Sequence, residues 1–165
     1  MNFLDAYLAE FDHEMKTTRS LLEIVPPDST DWKPHPKASS LGFLATHLAN
    51  LPSWLAMIFA APDFDANPGG KPARVPYESV ERALQMFDEN VAKAREALTS
   101  ATPDVLGEPW SLKSNGATVF TMPRAVVLRT FVMNHLIHHR GQLSVYLRAL
   151  DVKLPSIYGP TADTP

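Results

Sequence analysis

The segment NHLIHHRGQLSVYLRAL, residues 134–150, decides how this chain folds. Apolar residues and two histidines recur in it with the period of an α-helix, and the pattern extends back to Leu128. Pro123 is a favourable first-turn residue, so the helix is predicted to begin near it. Its predicted core-facing stripe consists of Leu128, Val132, His135, His139, Gln142, Leu143 and Tyr146. Two imidazoles thus occupy positions where a bundle helix normally carries apolar side chains.

Three upstream segments have the same helical period. Stretches rich in proline and other turn residues separate the four segments, at residues 26–37, 61–76 and 102–123. Ser39 and Ser40 are both candidate caps for the second helix, and its inward face includes His47. No segment alternates apolar and polar residues for long enough to indicate a strand. The predicted fold class is therefore all-α: a four-helix bundle with long connecting loops, in which crossover connections are possible.

The 165 residues suffice for one sizeable core, so residues 1–165 are predicted to form a single domain. After Leu154 the chain contains Pro155, Gly159 and Pro160, which prevent the last helix from continuing. It also contains the large side chains of Ile157 and Tyr158. We therefore expect the C-terminal tail to fold back over one end of the bundle and to help shape the mouth of a pocket.

Composition excludes several classes of function. The net charge of −3 gives no reason to expect a nucleic acid or an anionic membrane as partner. The chain has no cysteine, which excludes disulfides, thiolate zinc sites and a cysteine nucleophile. The N-terminus lacks the basic start and apolar run of a signal peptide, and no apolar stretch is expected to reach the roughly 20 residues of a membrane span. The expectation is a soluble, cytoplasmic protein.

The histidine spacing predicts a metal site. His135 and His139 are four residues apart and therefore share one helical face. Zinc proteases use a similar pair, but a catalytic glutamate follows their first histidine, and Leu136 occupies that position here. A third ligand is needed, and His47 is the other histidine expected to face the core. Three imidazoles suit Zn²⁺, Ni²⁺, Fe²⁺ or Mn²⁺ and leave a coordination position open.

The alternative is that these histidines are ordinary core residues, which is the favoured interpretation for His47 taken alone. Three imidazoles converging on one apolar core are harder to explain that way, because each needs a partner for its ring nitrogens and no carboxylate is expected to face them. His138 should lie at the rim, outside the set of ligands. His138 and Gln142 are the candidates for handling protons, although Gln142 is equally well explained as a polar contact across the bundle.

Three stretches of the chain resemble the DinB/YfiT-like family of metalloenzymes: NHLIHHRGQLSVYLRAL, DWKPHPKASSLGFLATHLANLPSW and LPSIYGPTAD. The resemblance runs from about Trp32 to Asp163 and is weak through the third helix. It implies a four-helix bundle with a divalent metal held by one histidine on the second helix and a pair on the fourth. By position, those ligands are His47, His135 and His139.

The resemblance also implies a reaction. Activities in the family include transfer of low-molecular-weight thiols to electrophiles and thiol-dependent isomerisation. A chain without cysteine would take its thiol from outside as a co-substrate, beside a small-molecule substrate. Two alternatives stay open: a metal-dependent hydrolase that uses water, and a non-catalytic bundle that binds metal or a small ligand in a stress response.

Two further expectations concern the fourth helix. Val126, Met133 and Ile137 form a second apolar stripe, which predicts burial against the same helix of a second copy in a two-fold homodimer. Arg140 follows the histidines and is expected to form an ion pair at the bundle surface; the alternative is that it anchors an anionic substrate.

Overall fold

Four helices dominate the computed structural model, which describes residues 2–72 and 74–164. The first three helices are α1 (Phe3–Leu22), α2 (Leu41–Ala60) and α3 (Val80–Ser100). The fourth bundle helix consists of three consecutive segments: α4 (Arg124–Val127), a π-helical segment (Leu128–Met133) and α5 (Asn134–Ala149). The helical bundle was predicted correctly. The single-domain prediction stays a prediction, and its residues 1, 73 and 165 lie outside the described ranges.

Local sequence explains where the first three helices begin. Asn2 and Asp5 form a reciprocal capping box at the start of α1. The Ser40 hydroxyl accepts from the backbone N–H of Phe43 at 3.2 Å, which confirms the predicted start of α2. Ser79 caps α3 in the same way.

The order of the helices around the bundle differs from their order along the chain, although α2 and α3 are neighbours in both. α2 packs along α3 and against α5, while α1 packs against α3 and α5. Helices α1 and α2 therefore lie diagonally opposite each other in the bundle, and so do α3 and α5. The connection within each of these two pairs crosses over the bundle. By length and composition α2 is apolar enough to span a membrane, contrary to expectation, but half of its most apolar window is buried inside the protein. That burial is typical of a core helix in a soluble protein.

The buried stripe of the fourth helix is rotated by one residue position relative to the predicted stripe. The backbone N–H of Asn134 bonds to the carbonyl of Arg129, five residues back, so the π-helical segment adds a residue to one turn. The Tyr7 hydroxyl donates to the Leu128 carbonyl at 2.8 Å and supports the start of this segment. The buried residues of the segment and α5 are Leu128, Val132, Met133, Leu136, Arg140, Leu143 and Leu147. His135, His139 and Tyr146 are only half-buried as a result, and Gln142 is exposed.

Because of the same shift, Val126, Met133 and Ile137 do not form the exposed apolar stripe from which the dimer was predicted. Met133 is fully buried in the chain's own core, and only Val126 of the three residues is exposed. The homodimer itself stays an untested prediction.

A small sheet corrects the all-α prediction. β1 (Asp63–Asp65) runs parallel to β2 (Pro109–Ser114), and β2 pairs antiparallel with β3 (Ala117–Pro123). The turn between β2 and β3 is Asn115-Gly116, with φ of 51° and 80°. This dipeptide is a strong signal for a tight hairpin turn, which the sequence analysis missed.

Gly116→Ala should lower the free energy of unfolding by about 1–2 kcal/mol, because a side chain at positive φ is strained. Gly107→Ala is the matched control, since Gly107 has ordinary φ and open space around it. Chemical denaturation checks both variants. Equal stabilities for the two would contradict this account of the turn.

The C-terminal tail folds back onto α1 and α5, as expected. The Tyr158 hydroxyl accepts from Arg140 at 2.5 Å and donates to the carboxylate of Glu14 at 2.9 Å. Asp163 pairs with Arg148 and also accepts from the backbone N–H of Leu154. These contacts fix the tail on the bundle.

Candidate metal centre

The structure brings His47, His135 and His139 together between α2 and α5. Their candidate ligand atoms all lie within 4.8 Å of one another. The Nε2 atoms of His47 and His135 are 3.2 Å apart. All three side chains are half-buried, which leaves the cluster open to one side.

These separations fit a common ion. Two ligands about 2.0–2.2 Å from one ion in tetrahedral geometry have their nitrogens roughly 3.3–3.6 Å apart. The His47–His135 separation of 3.2 Å is close to that range. Three imidazoles without a thiolate or carboxylate form a donor set suited to a divalent transition metal, so the cluster is compatible with metal binding.

Gln142 orients one of the three rings. The Nδ1 atom of His139 lies 2.7 Å from Oε1 of Gln142. Because an amide oxygen is an acceptor, Nδ1 carries the proton, and Nε2 keeps the lone pair that a metal requires. This contact lies within α5, and among the described residues Gln142 makes no hydrogen bond across the bundle, which was the alternative predicted for it.

The electrostatics of the cluster favour neutral imidazoles. Burial, with smaller contributions from the neighbouring His139 and His135, lowers the pKa of His47 to about 4. Burial also lowers the pKa of His135 to about 4, with a contribution from His139. The pKa of His139 is lowered chiefly by burial, and its hydrogen bond to Gln142 opposes that shift. Neutral rings are the form that binds a metal.

His138 lies outside the cluster, as the sequence predicted. His138 is exposed and is not part of the cluster, although its ring centroid is 5.0 Å from that of His139. His13 and His35 are exposed as well.

Aromatic rings surround the cluster. Trp54 lies edge-on to His135 at a centroid distance of 5.3 Å and stacks on Phe131 at 4.9 Å. On the other side, Phe43 stacks on His47 at 5.9 Å, with the ring planes 7° apart. Phe131 belongs to the π-helical segment and also contacts Phe120 of β3. The hairpin and the π-helical segment thus support the wall beside His135.

A pocket of about 480 Å³ opens beside His47. One face of α2 supplies most of its wall, including the polar residues Thr46, Asn50 and Ser53. Phe64 of β1 and Val75 of the following loop line the other side. Among the described residues the loop after β1 lines the pocket and the tail does not, so the predicted role of the tail at the pocket mouth is wrong.

Some pocket residues were accessible to sequence analysis and others were not. Asn50 and Ser53 follow His47 at helical intervals, so the helical period could have identified them, although the sequence analysis did not name them. Arg74 lies in a proline-rich loop without any period, and nothing in the sequence pattern points to it. Of the three tryptophans, Trp54 lines the pocket, whereas Trp110 is fully buried.

A comparison with protein-family models matches residues 1–164 to the model of the DinB family. The chain belongs to the DinB family. The solved structures agree with this fold. A DinB-like protein from Bacillus cereus ATCC 10987 superposes with a TM-score of 0.69 at 22% identity, over 93% of this chain and 97% of that chain. A DinB-like protein from Bacillus subtilis gives 0.70 at 19% identity, over 92% and 97%. No curated protein matches the chain.

The low histidine pKa values give this DinB protein a pH-dependent stability in its metal-free form. The pKa values of His47 and His135 are about 4 in the folded chain, against 6.5 for a free imidazole, so the unfolded chain binds more protons between these pH values. Stability should therefore rise from pH 4 to 6.5 and be lost as the pH falls through that window. Denaturation of chelator-treated protein at pH 5 and pH 7 measures this.

The variant His47→Gln should show a weaker dependence in the same experiment, because one depressed pKa is removed. Equal stability of the wild-type protein at both pH values would contradict the burial of neutral imidazoles in the DinB cluster.

Proposed function

We propose that this chain is a divalent-metal-dependent enzyme whose ion is held by His47, His135 and His139, and that it acts as a thiol-dependent S-transferase or isomerase. The observation that carries the proposal is the convergence of three imidazole nitrogens within 4.8 Å at the edge of an open pocket. Three protein ligands leave a coordination position for a further molecule, as in catalytic sites. Zn²⁺, Ni²⁺, Fe²⁺ and Mn²⁺ all suit imidazole ligands.

The ion would lower the pKa of a coordinated thiol, so that the thiolate is available near neutral pH. The chain cannot supply that thiol, because it contains no cysteine. The proposed co-substrate is therefore a low-molecular-weight thiol, and the proposed substrate is a small electrophile.

The chain's own residues would limit the access of water, exchange protons with solvent and orient one of the metal ligands. The rings of Phe43 and Trp54 flank the histidines and limit access of water from their sides. No acidic side chain is among the described residues that line the pocket, so no carboxylate there is placed to act as general base. His138 is exposed and contacts the ring of His139, which makes it the proposed group for exchanging protons with solvent. Gln142 has a positioning role through His139 Nδ1.

Activity of metal-reconstituted protein tests the proposal. Each of the four metals is combined with glutathione, bacillithiol, mycothiol or coenzyme A, and conjugation to a model electrophile such as monochlorobimane is followed. We expect at least one combination to exceed the uncatalysed rate, and His139→Ala to abolish the gain while keeping the helical circular dichroism spectrum. Turnover of ester or amide substrates without any thiol would favour the hydrolase, and metal binding without turnover of either kind would favour the non-catalytic bundle.

Gln142→Ala should weaken metal affinity by roughly 10- to 100-fold, because the hydrogen bond that fixes the His139 ring is lost. Gln142→Glu is the matched variant, since it keeps an acceptor for Nδ1–H. Competition with a fluorescent chelator measures both affinities. Wild-type affinity in Gln142→Ala would show that the contact does not orient a ligand.

Three further predictions remain with the proposal: a cytoplasmic location, no nucleic-acid or membrane partner, and a homodimer. Sedimentation at micromolar concentration tests the last.

A further inference from the structure

The pocket beside His47 differs in charge from the rest of the molecule. The chain carries 18 acidic and 15 basic residues, yet among the described residues the pocket is lined by one charged side chain, Arg74. In the described ranges Arg74 forms no ion pair with a carboxylate. The pocket is thus locally positive in a chain whose net charge is negative.

The guanidinium of Arg74, an exposed residue, lies against an aromatic ring. Its central carbon lies 5.6 Å from the centroid of Phe43, the ring that stacks on His47. A guanidinium over a ring face gains a cation–π attraction and keeps its N–H donors at the edge. Phe43 therefore connects the cation at the pocket mouth to the histidine cluster.

The rest of the wall is apolar with one polar strip. Trp54, Met57, Phe64 and Val75 supply apolar surface. Asn50 accepts from the Ser53 hydroxyl at 3.4 Å, and within the described residues its amide N–H groups have no acceptor. A volume of about 480 Å³ is in the range of small-molecule pockets.

Side chains near its two ends attach the loop that carries Arg74 to the rest of the protein. The carboxylate of Asp65 accepts from the backbone N–H groups of Asn67, Asn115 and Gly116 at 2.7 to 3.0 Å, which ties the start of the loop to the β2–β3 hairpin. At the other end, the Tyr77 ring packs so closely on Gly42 of α2 that a Cβ there would lie 2.9 Å from it.

We propose that the pocket selects a small, largely apolar molecule carrying one anionic group, which pairs with Arg74, while the reacting end of the molecule lies at the histidine cluster. This inference rests on the proposed function for its reacting end only. Arg74 acts as a specificity determinant and is not a ligand of the ion. The charge of the guanidinium favours an anionic ligand over a neutral one of the same shape.

A matched pair of probes tests the inference: 3-phenylpropane-1-sulfonate and 3-phenylpropan-1-ol. They share an apolar body and differ in charge, and a sulfonate is a poor ligand for the metals named above. Isothermal titration calorimetry is run on metal-loaded and on metal-free protein. We expect the sulfonate to bind at least about tenfold more tightly than the alcohol to the wild-type protein in both forms.

Two variants test whether the preference for the sulfonate depends on Arg74. In Arg74→Gln the preference for the sulfonate should fall below about twofold, while metal affinity stays at the wild-type value. Lys93→Gln is the control, because Lys93 is an exposed cation on α3, which contributes no described residue to this pocket, and it should keep the full preference. A preference that is absent in the wild-type protein, or that survives in Arg74→Gln, overturns the inference.

This experiment distinguishes a failure of the proposed function from a failure of the anion-selective pocket. If the protein binds no metal but the metal-free form prefers the sulfonate through Arg74, the proposed function fails and the anion-selective pocket stands. If the histidines bind metal but the sulfonate preference is missing, the inference fails and the metal centre stands.

Discussion

Arg140→Met should lower the free energy of unfolding of the metal-free protein by about 3–5 kcal/mol. Arg140 is 2% exposed and forms an ion pair with Glu14, which is 5% exposed. Removal of the guanidinium leaves the Glu14 carboxylate buried, with only the Tyr158 hydroxyl as a side-chain donor among the described residues. The loss is large because a buried charge without its counter-ion keeps its full desolvation cost. Urea denaturation followed by circular dichroism measures it.

Arg95→Met is the matched control. Arg95 forms an ion pair with Asp12 at 3.0 Å, but the two side chains are 51% and 44% exposed, so its loss should cost about 0–1 kcal/mol. The double variant Glu14→Leu/Arg140→Met should recover most of the lost stability, because no buried charge is left unpaired. Equal effects of Arg140→Met and Arg95→Met would contradict the importance of the buried pair.

His47→Ala should reduce metal affinity by more than about 100-fold, since loss of a ligand costs more than loss of a residue that only orients one. The two remaining histidines come from adjacent turns of α5 and cannot connect that helix to α2 through an ion. A second effect follows from linkage. Metal at 100 times the wild-type dissociation constant should stabilise the wild-type protein by about 2.7 kcal/mol and the variant by less than about 0.4 kcal/mol.

His138→Ala is the control for that loss, because His138 neighbours His139 but lies outside the cluster. It should keep one ion per chain and the wild-type melting temperature with metal. Stoichiometric metal in His47→Ala, or its loss in His138→Ala, would show that the ligands were assigned wrongly.

The sequence predicted the cluster because imidazoles on amphipathic helices reveal their position through spacing alone. His135 and His139 had to share a face whatever the exact register, and His47 was on the inward side of α2. The degree of burial was not predictable in the same way. A single extra residue in the π-helical segment rotates α5, so that Leu136 and Arg140 enter the core and the histidines lie at its edge. Arg140 was consequently expected at the surface and is buried.

The sheet and the pocket were missed for different reasons. The Asn115-Gly116 turn is a recognisable hairpin signal, but the flanking strands alternate weakly, because only Trp110 of β2 is fully buried. The position of Arg74 depends on contacts between segments far apart in the chain, such as Asp65 with the backbone of Gly116. No local pattern contains that information, so the loop that completes the pocket is visible only in the folded chain.

The most direct test of the metal centre is anomalous diffraction from crystals of the protein purified with its bound ion, recorded at the absorption edge of that metal. We expect one strong peak per chain, about 2.0–2.2 Å from a ring nitrogen of each of His47, His135 and His139. His138 should lie outside this distance. A peak at any other place in the chain, or a peak contacted by fewer than three of these rings, would contradict the three-histidine centre.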